Sequence, residues 1–370
     1  MSRAFDTIDR EKLMIILKQE VQLEEDELRI CQSLLANTNL KVKLGEAISD
    51  PFETTIGTPQ GDGLSPILFA VYLESALREV RAEACKWPRP DDDKGLPLEA
   101  LYADDSDFIS TNPSLLKFLE ALIPPTISRY NLQANASKWE RTTLAPSNSK
   151  EDKPEWPKTK KLGSLLGDEE DIERRKLQAT VKFKDLRLLW ESRKVTSIET
   201  RMRAYNAFIL PVLLYNCGTW GATEAVIKRL EIFHRRQLRD VLGVRTRDLH
   251  NVTLYEKCKT SPLREQITHA RWTLFGHVLR LARDTPAQLA MDYYCKLNEG
   301  ELEPPGRPTT TLPVLLFNEY RKYKQHANIK GWRGQQKKGQ MLEELRELAK
   351  VDNKQKWPEI VASICSLDNL

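Results

Sequence analysis

The sequence has 370 residues, 40% of them hydrophobic and 30% charged, with 57 Lys and Arg against 53 Asp and Glu for a net charge of +4. That length suffices for two or three domains with their own cores, and the composition is that of a soluble globular protein, which excludes disordered and fibrous classes. No apolar run approaches the roughly 18 residues of a membrane span, and the N-terminus lacks a secretory pattern. The cysteines Cys31, Cys85, Cys217, Cys258, Cys295 and Cys365 lack the paired spacing of a disulfide framework and fit a reducing compartment. An intracellular location, nucleus or cytoplasm, is therefore expected, with no membrane association. The odd spacing of Cys258, His269, His277 and Cys295 argues against a structural zinc site. The net charge hides a split: residues 1–150 hold 17 basic and 24 acidic side chains, a net of −7, which leaves +11 for residues 151–370. A basic half suits a polyanion such as nucleic acid, against the alternative of a solvated lysine-rich face.

In chain order, Asp9 to Lys18 and Glu24 to Leu35 read as helices, the first with Leu13, Ile16 and Leu17 on one face and the second opened by an acidic turn. Lys41 to Leu44 and Phe52 to Ile56 are short strand candidates. The turn Gly57-Thr58-Pro59-Gln60-Gly61-Asp62-Gly63 feeds a helix with Ser65 as N-cap and Pro66 at its first position, running to Ala84. After a Pro- and Asp-rich loop from Trp87 to Gly95, apolar and aromatic residues at Leu98 to Ala103 and Phe108 to Ile109 predict a β-hairpin with Asp104 and Asp105 at its tip. Ser114 to Tyr130 reads as an amphipathic helix broken around Pro124-Pro125, and the stretch from Ala145 to Pro157 marks a boundary. Past a short strand-like segment at Lys161 to Gly167, helical spacing dominates over 172–192, 198–215, 224–242, 253–257 and 263–281. Weaker helices follow the proline-rich loop at 304–308, near 312–327 and 341–349.

Two adjacent carboxylates on a tight turn can hold a hard divalent cation, because magnesium takes carboxylate oxygens and keeps positions for water and phosphates. Two-metal phosphoryl-transfer sites place their ions roughly 3.5–4 Å apart and draw carboxylates from several segments. This turn would then need an acidic partner elsewhere; taken alone, such a pair is more often a solvated acidic turn. Three further stretches stand around it. The glycine turn at Gly57 to Gly63 lets backbone amides come close to a ligand and exposes Gln60. Asn135-Ala136-Ser137-Lys138 presents a lysine that can meet a phosphate, and Ala4-Phe5-Asp6-Thr7-Ile8-Asp9 sets an aromatic ring between carboxylates.

In this order the blocks resemble the palm of reverse transcriptases, and Tyr102-Ala103-Asp104-Asp105 stands as that family's catalytic box. Lys160-Lys161-Leu162-Gly163 resembles the primer-grip hairpin. Leu213-Leu214-Tyr215-Asn216-Cys217-Gly218-Thr219-Trp220 resembles the thumb of reverse transcriptases from non-LTR, LINE-type retrotransposons, and Phe275-Gly276-His277-Val278-Leu279-Arg280 a C-terminal segment of the same elements. The resemblance implies an α+β fold. Residues 1–170 would form an incomplete palm, a ferredoxin-like antiparallel sheet with helices; 171–245 would be a helical thumb; 246–370 would be a mostly helical, basic C-terminal region. It also implies an RNA-directed DNA polymerase, a nucleotidyltransferase whose partners are an RNA template, a DNA primer and dNTPs. Asp104 and Asp105 would bind magnesium, with manganese as the alternative ion, and Tyr102 would lie beside them at the primer end. Phe5 would sit under the incoming sugar, Gln60 and Gly61 would border nucleotide and template, and Lys138 would approach the triphosphate. Leu162 and Gly163 would grip the primer.

One departure qualifies the match. The family's third metal carboxylate would fall at the position immediately ahead of Met1. Neither Asp6 nor Asp9 replaces it, since on a strand Asp6 points away from the face that Phe5 shares. The expectation is a chain truncated at its N-terminus, without fingers and without the first catalytic Asp, so that synthesis is weak; the alternative is a catalytically dead nucleic-acid-binding relic. Loss of one electrostatic stabiliser is worth about 10²–10³-fold in rate. Arg235, Arg236 and Arg239, with Arg245 and Arg247, are expected to track a phosphate backbone. Trp190, Trp220 and Trp272 are expected in the core, and His277 as a packing residue.

Overall fold

Local capping sets the first helices. Asp9 accepts the Lys12 amide at the start of α1 (Arg10–Gln19), and Glu24 and Glu27 form a reciprocal capping box at α2 (Glu25–Leu35). The computed structural model describes residues 4–36, 38–59, 61–88, 97–144, 155–245, 248–296, 310–327, 338–350 and 356–367. By its contacts the chain divides into two compact units, Met1–Glu140 and Arg141–Leu370. It is mostly helical with small antiparallel ribbons, an α+β composition.

In the first unit, the two expected strands resolve into four. β1 (Thr38–Leu40) pairs with β4 (Phe52–Thr54), and β2 (Lys43–Leu44) pairs with β3 (Ala47–Ile48). The next helix, α3 (Ser65–Ala84), does not start as the sequence suggests. Leu64 occupies the cap position, and the Asp62 carboxylate accepts the Leu64 and Ser65 amides at 2.8 and 2.6 Å. These bonds, the one from Ser65 foremost, hold the Asp62 carboxyl below the usual carboxylate range. β5 (Glu99–Tyr102) and β6 (Asp105–Phe108) form the expected hairpin. α4 (Pro113–Ser128) runs through Pro124 and Pro125 instead of breaking there. Thr126 lends its hydroxyl to the Leu122 carbonyl at 2.9 Å, and Leu119, Ile123 and Ile127 keep one face of α4 in the core. Ile8, Leu13, Phe69, Tyr72, Leu115 and Leu132 fill the centre of that core.

The second unit begins with β7 (Lys160–Lys161) and β8 (Ser164–Leu165), followed by α5 (Asp168–Asp185) and the short α6 (Arg187–Glu191). One long helix was expected across this span. The chain breaks at Leu186 so that Trp190 folds back, its ring stacked on Phe183 at 5.1 Å and its N–H donating to the Phe183 carbonyl at 2.8 Å. α7 (Ile198–Ala204) passes through a π-turn at Tyr205–Ile209 into α8 (Leu210–Leu213). The wider turn falls just before Pro211, which has no N–H to continue the ladder. α9 (Glu224–Leu242), α10 (Asn251–Cys258) and α11 (Leu263–Arg280) follow the expected periodicity. α12 (Pro286–Lys296), α13 (Leu312–His326), α14 (Lys338–Ala349) and α15 (Lys356–Leu367) complete the chain; α12 and α15 were not read from the sequence. Trp190 and Trp220 lie in the core around α5 to α11, and Trp272 in a second core with α12 to α15. His277, expected to pack, is exposed. Beside it Gly276 makes room for Trp357, whose indole nitrogen would stand 2.3 Å from a Cβ there.

Among the described residues the strands form four separate two-stranded ribbons, where the sequence suggested one ferredoxin-like sheet. Each described strand spans only 2–4 residues. The Lys160–Leu165 hairpin, placed with residues 1–170 from the sequence, falls in the second unit, against α5. No helix among the described residues is long and apolar enough to cross a membrane.

A polar cluster inside the second unit makes its stability depend on pH. Tyr205 donates to Gln237 Oε1 at 2.9 Å and meets His234 Nδ1 at 2.8 Å. With the phenol proton committed to Gln237, the neutral imidazole carries its proton on Nδ1, and the buried Nε2 has no hydrogen-bond partner among the described residues. Burial, and next the positive charge of Arg235, pull the His234 pKa down from 6.5 to about 3. The unfolded chain therefore takes up this proton first, and stability falls as pH drops below the unfolded value. Urea unfolding of the wild type should lose about 1.4 kcal/mol per pH unit between pH 6 and 4 relative to His234→Gln. Parallel pH profiles for the two proteins would contradict the assignment.

Candidate active site

The acid-bearing ribbon is closed by a two-residue turn. Tyr102 pairs with Asp105 across the ladder, so only Ala103 and Asp104 connect the strands. Ala103 takes φ +51°, the left-handed value that so tight a connection demands. Asp104 thus sits in the turn and Asp105 at the first position of β6. Tyr102 is 68% exposed and Asp105 is exposed beside it, while Asp104 is half-buried. Behind them Glu99 pairs with Arg81 of α3 at 2.8 Å; burial nevertheless pushes its carboxyl up from the usual range.

The glycine turn is tied to the Phe5 segment. Phe5 lies on a 3-10 turn at Ala4–Asp6, not on a strand, which removes the alternation assumed for Asp6. Its half-buried ring packs on Phe69 of α3 with centroids 4.7 Å apart. The Thr58 amide donates to the Phe5 carbonyl at 2.9 Å, and the Gly57 amide to the Ile8 carbonyl at 2.8 Å. Gly57 has φ +77°, and a Cβ there would stand 2.9 Å from the Asp6 backbone, so this position requires glycine. Gly61, at φ +103°, is exposed with open space around it. Gln60 lies outside the described residues. Lys138 ends a 3-10 turn at Ala136–Lys138 and is exposed.

In the second unit, the Lys160–Leu165 hairpin turns on Leu162 (φ +46°) and Gly163 (φ +82°). Both carbonyls of the turn are held. Tyr215 donates its hydroxyl to Leu162 O at 2.9 Å; Arg174 donates to Gly163 O at 2.8 Å, and Arg175 donates to the same oxygen. Arg175 also lies over the Tyr215 ring, 4.4 Å from its centroid. The fully buried Asp171 carboxylate accepts the Leu165 amide at 2.9 Å and the Arg175 and Trp220 N–H groups at 3.4 Å. Sequence reasoning missed this network. Its available signal was the spacing of Asp171 and Arg175, four apart on one helix face. Gly218 lets the segment approach α11, since a Cβ there would stand 3.0 Å from the Ala270 carbonyl.

The expected phosphate-tracking arginines separate. Arg239 is buried and donates to Asn251 Oδ1 at 2.8 Å and Leu249 O at 3.2 Å. Arg235 is mostly buried and pairs with Glu231 at 2.6 Å. Both are engaged inside the fold, whereas Arg236 is exposed on α9. Arg245 is exposed as well, and Arg247 lies outside the described residues.

Asp104 and Asp105 supply the hard oxygen donors that magnesium or manganese takes. Among the described residues, however, no group of three or more His, Cys, Asp or Glu side chains is placed to hold a metal ion. The two carboxylates fit one such ion. Against known proteins, residues 1–211 match the family described as reverse transcriptase (RNA-dependent DNA polymerase). The match covers more than half of the chain, which belongs to this family. No curated protein matches it.

Leu162 is a bulky residue held at positive φ and left 50% exposed at a hairpin tip, a combination that costs stability of order 1 kcal/mol. Leu162→Asn, which relieves that strain, should raise the unfolding free energy by about 1 kcal/mol in urea titrations. A destabilised Leu162→Asn protein would show that the leucine is there for packing.

Proposed function

We propose that this chain is the polymerising part of an RNA-directed DNA polymerase from a non-LTR, LINE-type retrotransposon. It extends a DNA 3′ end on an RNA template: the primer hydroxyl attacks the α-phosphorus of a dNTP in line, the new P–O bond forms and pyrophosphate leaves. The observation that carries this reading is the Tyr102 to Asp105 ribbon tip, with Tyr102 and Asp105 opposed and exposed. When bound, magnesium or manganese would neutralise charge developing on the transferred phosphoryl group.

Around that chemistry the chain's own residues position the reactants. Phe5, packed on Phe69, offers a ring face for a sugar, and the Gly57 to Gly61 turn offers a close backbone approach for base and template. Lys138 offers a cation to the triphosphate. The strained, exposed Leu162 and the Tyr215 ring beside it offer apolar contact to the primer strand. Residues 1–170 act as the palm, 171–245 as the thumb and 246–370 as a basic C-terminal region. Arg236 contributes to the phosphate-tracking surface of the thumb.

On this reading synthesis by this chain is slow, because among the described residues Asp104 and Asp105 are not joined by further candidate ligands where two-metal chemistry draws on more. The same observation favours a second reading, a nucleic-acid-binding protein that no longer polymerises. Primer extension on an RNA template with magnesium decides. Slow extension that Asp104→Ala reduces by at least about 10²-fold is expected. Salt-sensitive RNA–DNA binding without any extension would replace the polymerase reading with the second one.

A further inference from the structure

Arg10 is half-buried in the first unit, and no helix electrostatics account for the direction it takes. Arg10 occupies the first position of α1, where a positive charge opposes the helix dipole. Its guanidinium reaches instead across three separate parts of the unit. Nη1 donates at 2.7 Å both to the Leu35 carbonyl, at the end of α2, and to the Thr54 carbonyl of β4. Nη2 donates at 3.2 Å to Thr54 Oγ1 and to the Ile56 carbonyl, and Nε donates at 2.8 Å to the Gly57 carbonyl.

We propose that Arg10 is the positioning residue of the Ile56 to Thr58 backbone that opens the glycine turn, fixing its place against the Phe5 segment and hence where the turn meets an incoming nucleotide. This rests on the polymerase reading for the identity of the ligand, but the placement itself rests on geometry alone. The turn is clamped from two sides by one short segment. Phe5 and Ile8 carbonyls take the Thr58 and Gly57 amides, while the Arg10 fork takes the Ile56 and Gly57 carbonyls. Between them Gly57 lies so close to the Asp6 backbone that no side chain fits. A planar fork is required: it spans acceptors in divergent directions, whereas a lysine ammonium is a single point on a flexible stem. The Arg10 donors end on protein oxygens, so it acts through the turn and not as a catalytic group.

Hydrogen–deuterium exchange on the full chain tests this, with Arg10→Lys as the decisive variant because it keeps charge and stem, and Arg10→Gln beside it. In Arg10→Lys the Gly57 and Thr58 amides should exchange about tenfold faster or more, while amides of α3 and α4 keep their wild-type protection. In primer extension the same change should raise the KM for dNTP with little effect on kcat or on RNA–DNA affinity. Unchanged exchange at Gly57 and Thr58 in Arg10→Lys, or an increase spread evenly over the whole unit, overturns the proposal. A wild type that extends no primer sinks the polymerase reading alone, because exchange is read without catalysis.

Discussion

The candidate site depends on one constraint, the opposition of Tyr102 and Asp105 across a connection of only two residues. So short a link can close only with left-handed backbone, which Ala103 supplies at φ +51°. Asp104 is thereby forced into the turn and Asp105 onto the adjoining strand position, so the carboxylates are delivered together whatever surrounds them. The Lys160–Leu165 hairpin repeats the device, with Leu162 and Gly163 both at positive φ. There the turn carbonyls are tied down by Tyr215, Arg174 and Arg175. In each unit a tight turn presents chemistry-bearing or apolar side chains, and in the second unit long-range hydrogen bonds from outside the turn fix its backbone.

Much of the cationic character that suggests nucleic-acid contact is consumed internally. Arg10 serves carbonyls of Leu35, Thr54, Ile56 and Gly57. Arg175 serves the hairpin, Arg239 serves the loop before α10, and Arg271 pairs with Glu319 deep in the second unit. A guanidinium suits these roles because its planar donors can satisfy several buried carbonyls at once. The excess of positive charge in the C-terminal half therefore overstates the surface open to phosphates, and exposed residues such as Arg236 carry that expectation.

Strong periodicity made parts of the fold legible in advance. α9 spans Glu224–Leu242 as expected, and Gly243 ends it at φ +75°. The acid hairpin was legible from flanking strand formers. What escaped was set by partners distant in sequence. Nothing in the residue type of Leu35, Ile56 or Gly57 announces that its carbonyl will receive Arg10. Nor does helical spacing tell which arginine of α9 turns inward, since Arg235, Arg236 and Arg239 differ only in what α10 and Glu231 offer them. The break at Leu186 was invisible for the same reason: it exists to seat Trp190 on Phe183.

Membership in the reverse transcriptase family directs attention to the carboxylate pair at the ribbon tip. The most direct test of Asp104 and Asp105 as a metal site is a Mn²⁺ titration of the full chain with an RNA–DNA primer-template, read by electron paramagnetic resonance. A single weak site, lost in the Asp104→Asn, Asp105→Asn double variant, is predicted. Manganese binding unchanged in that variant would contradict it.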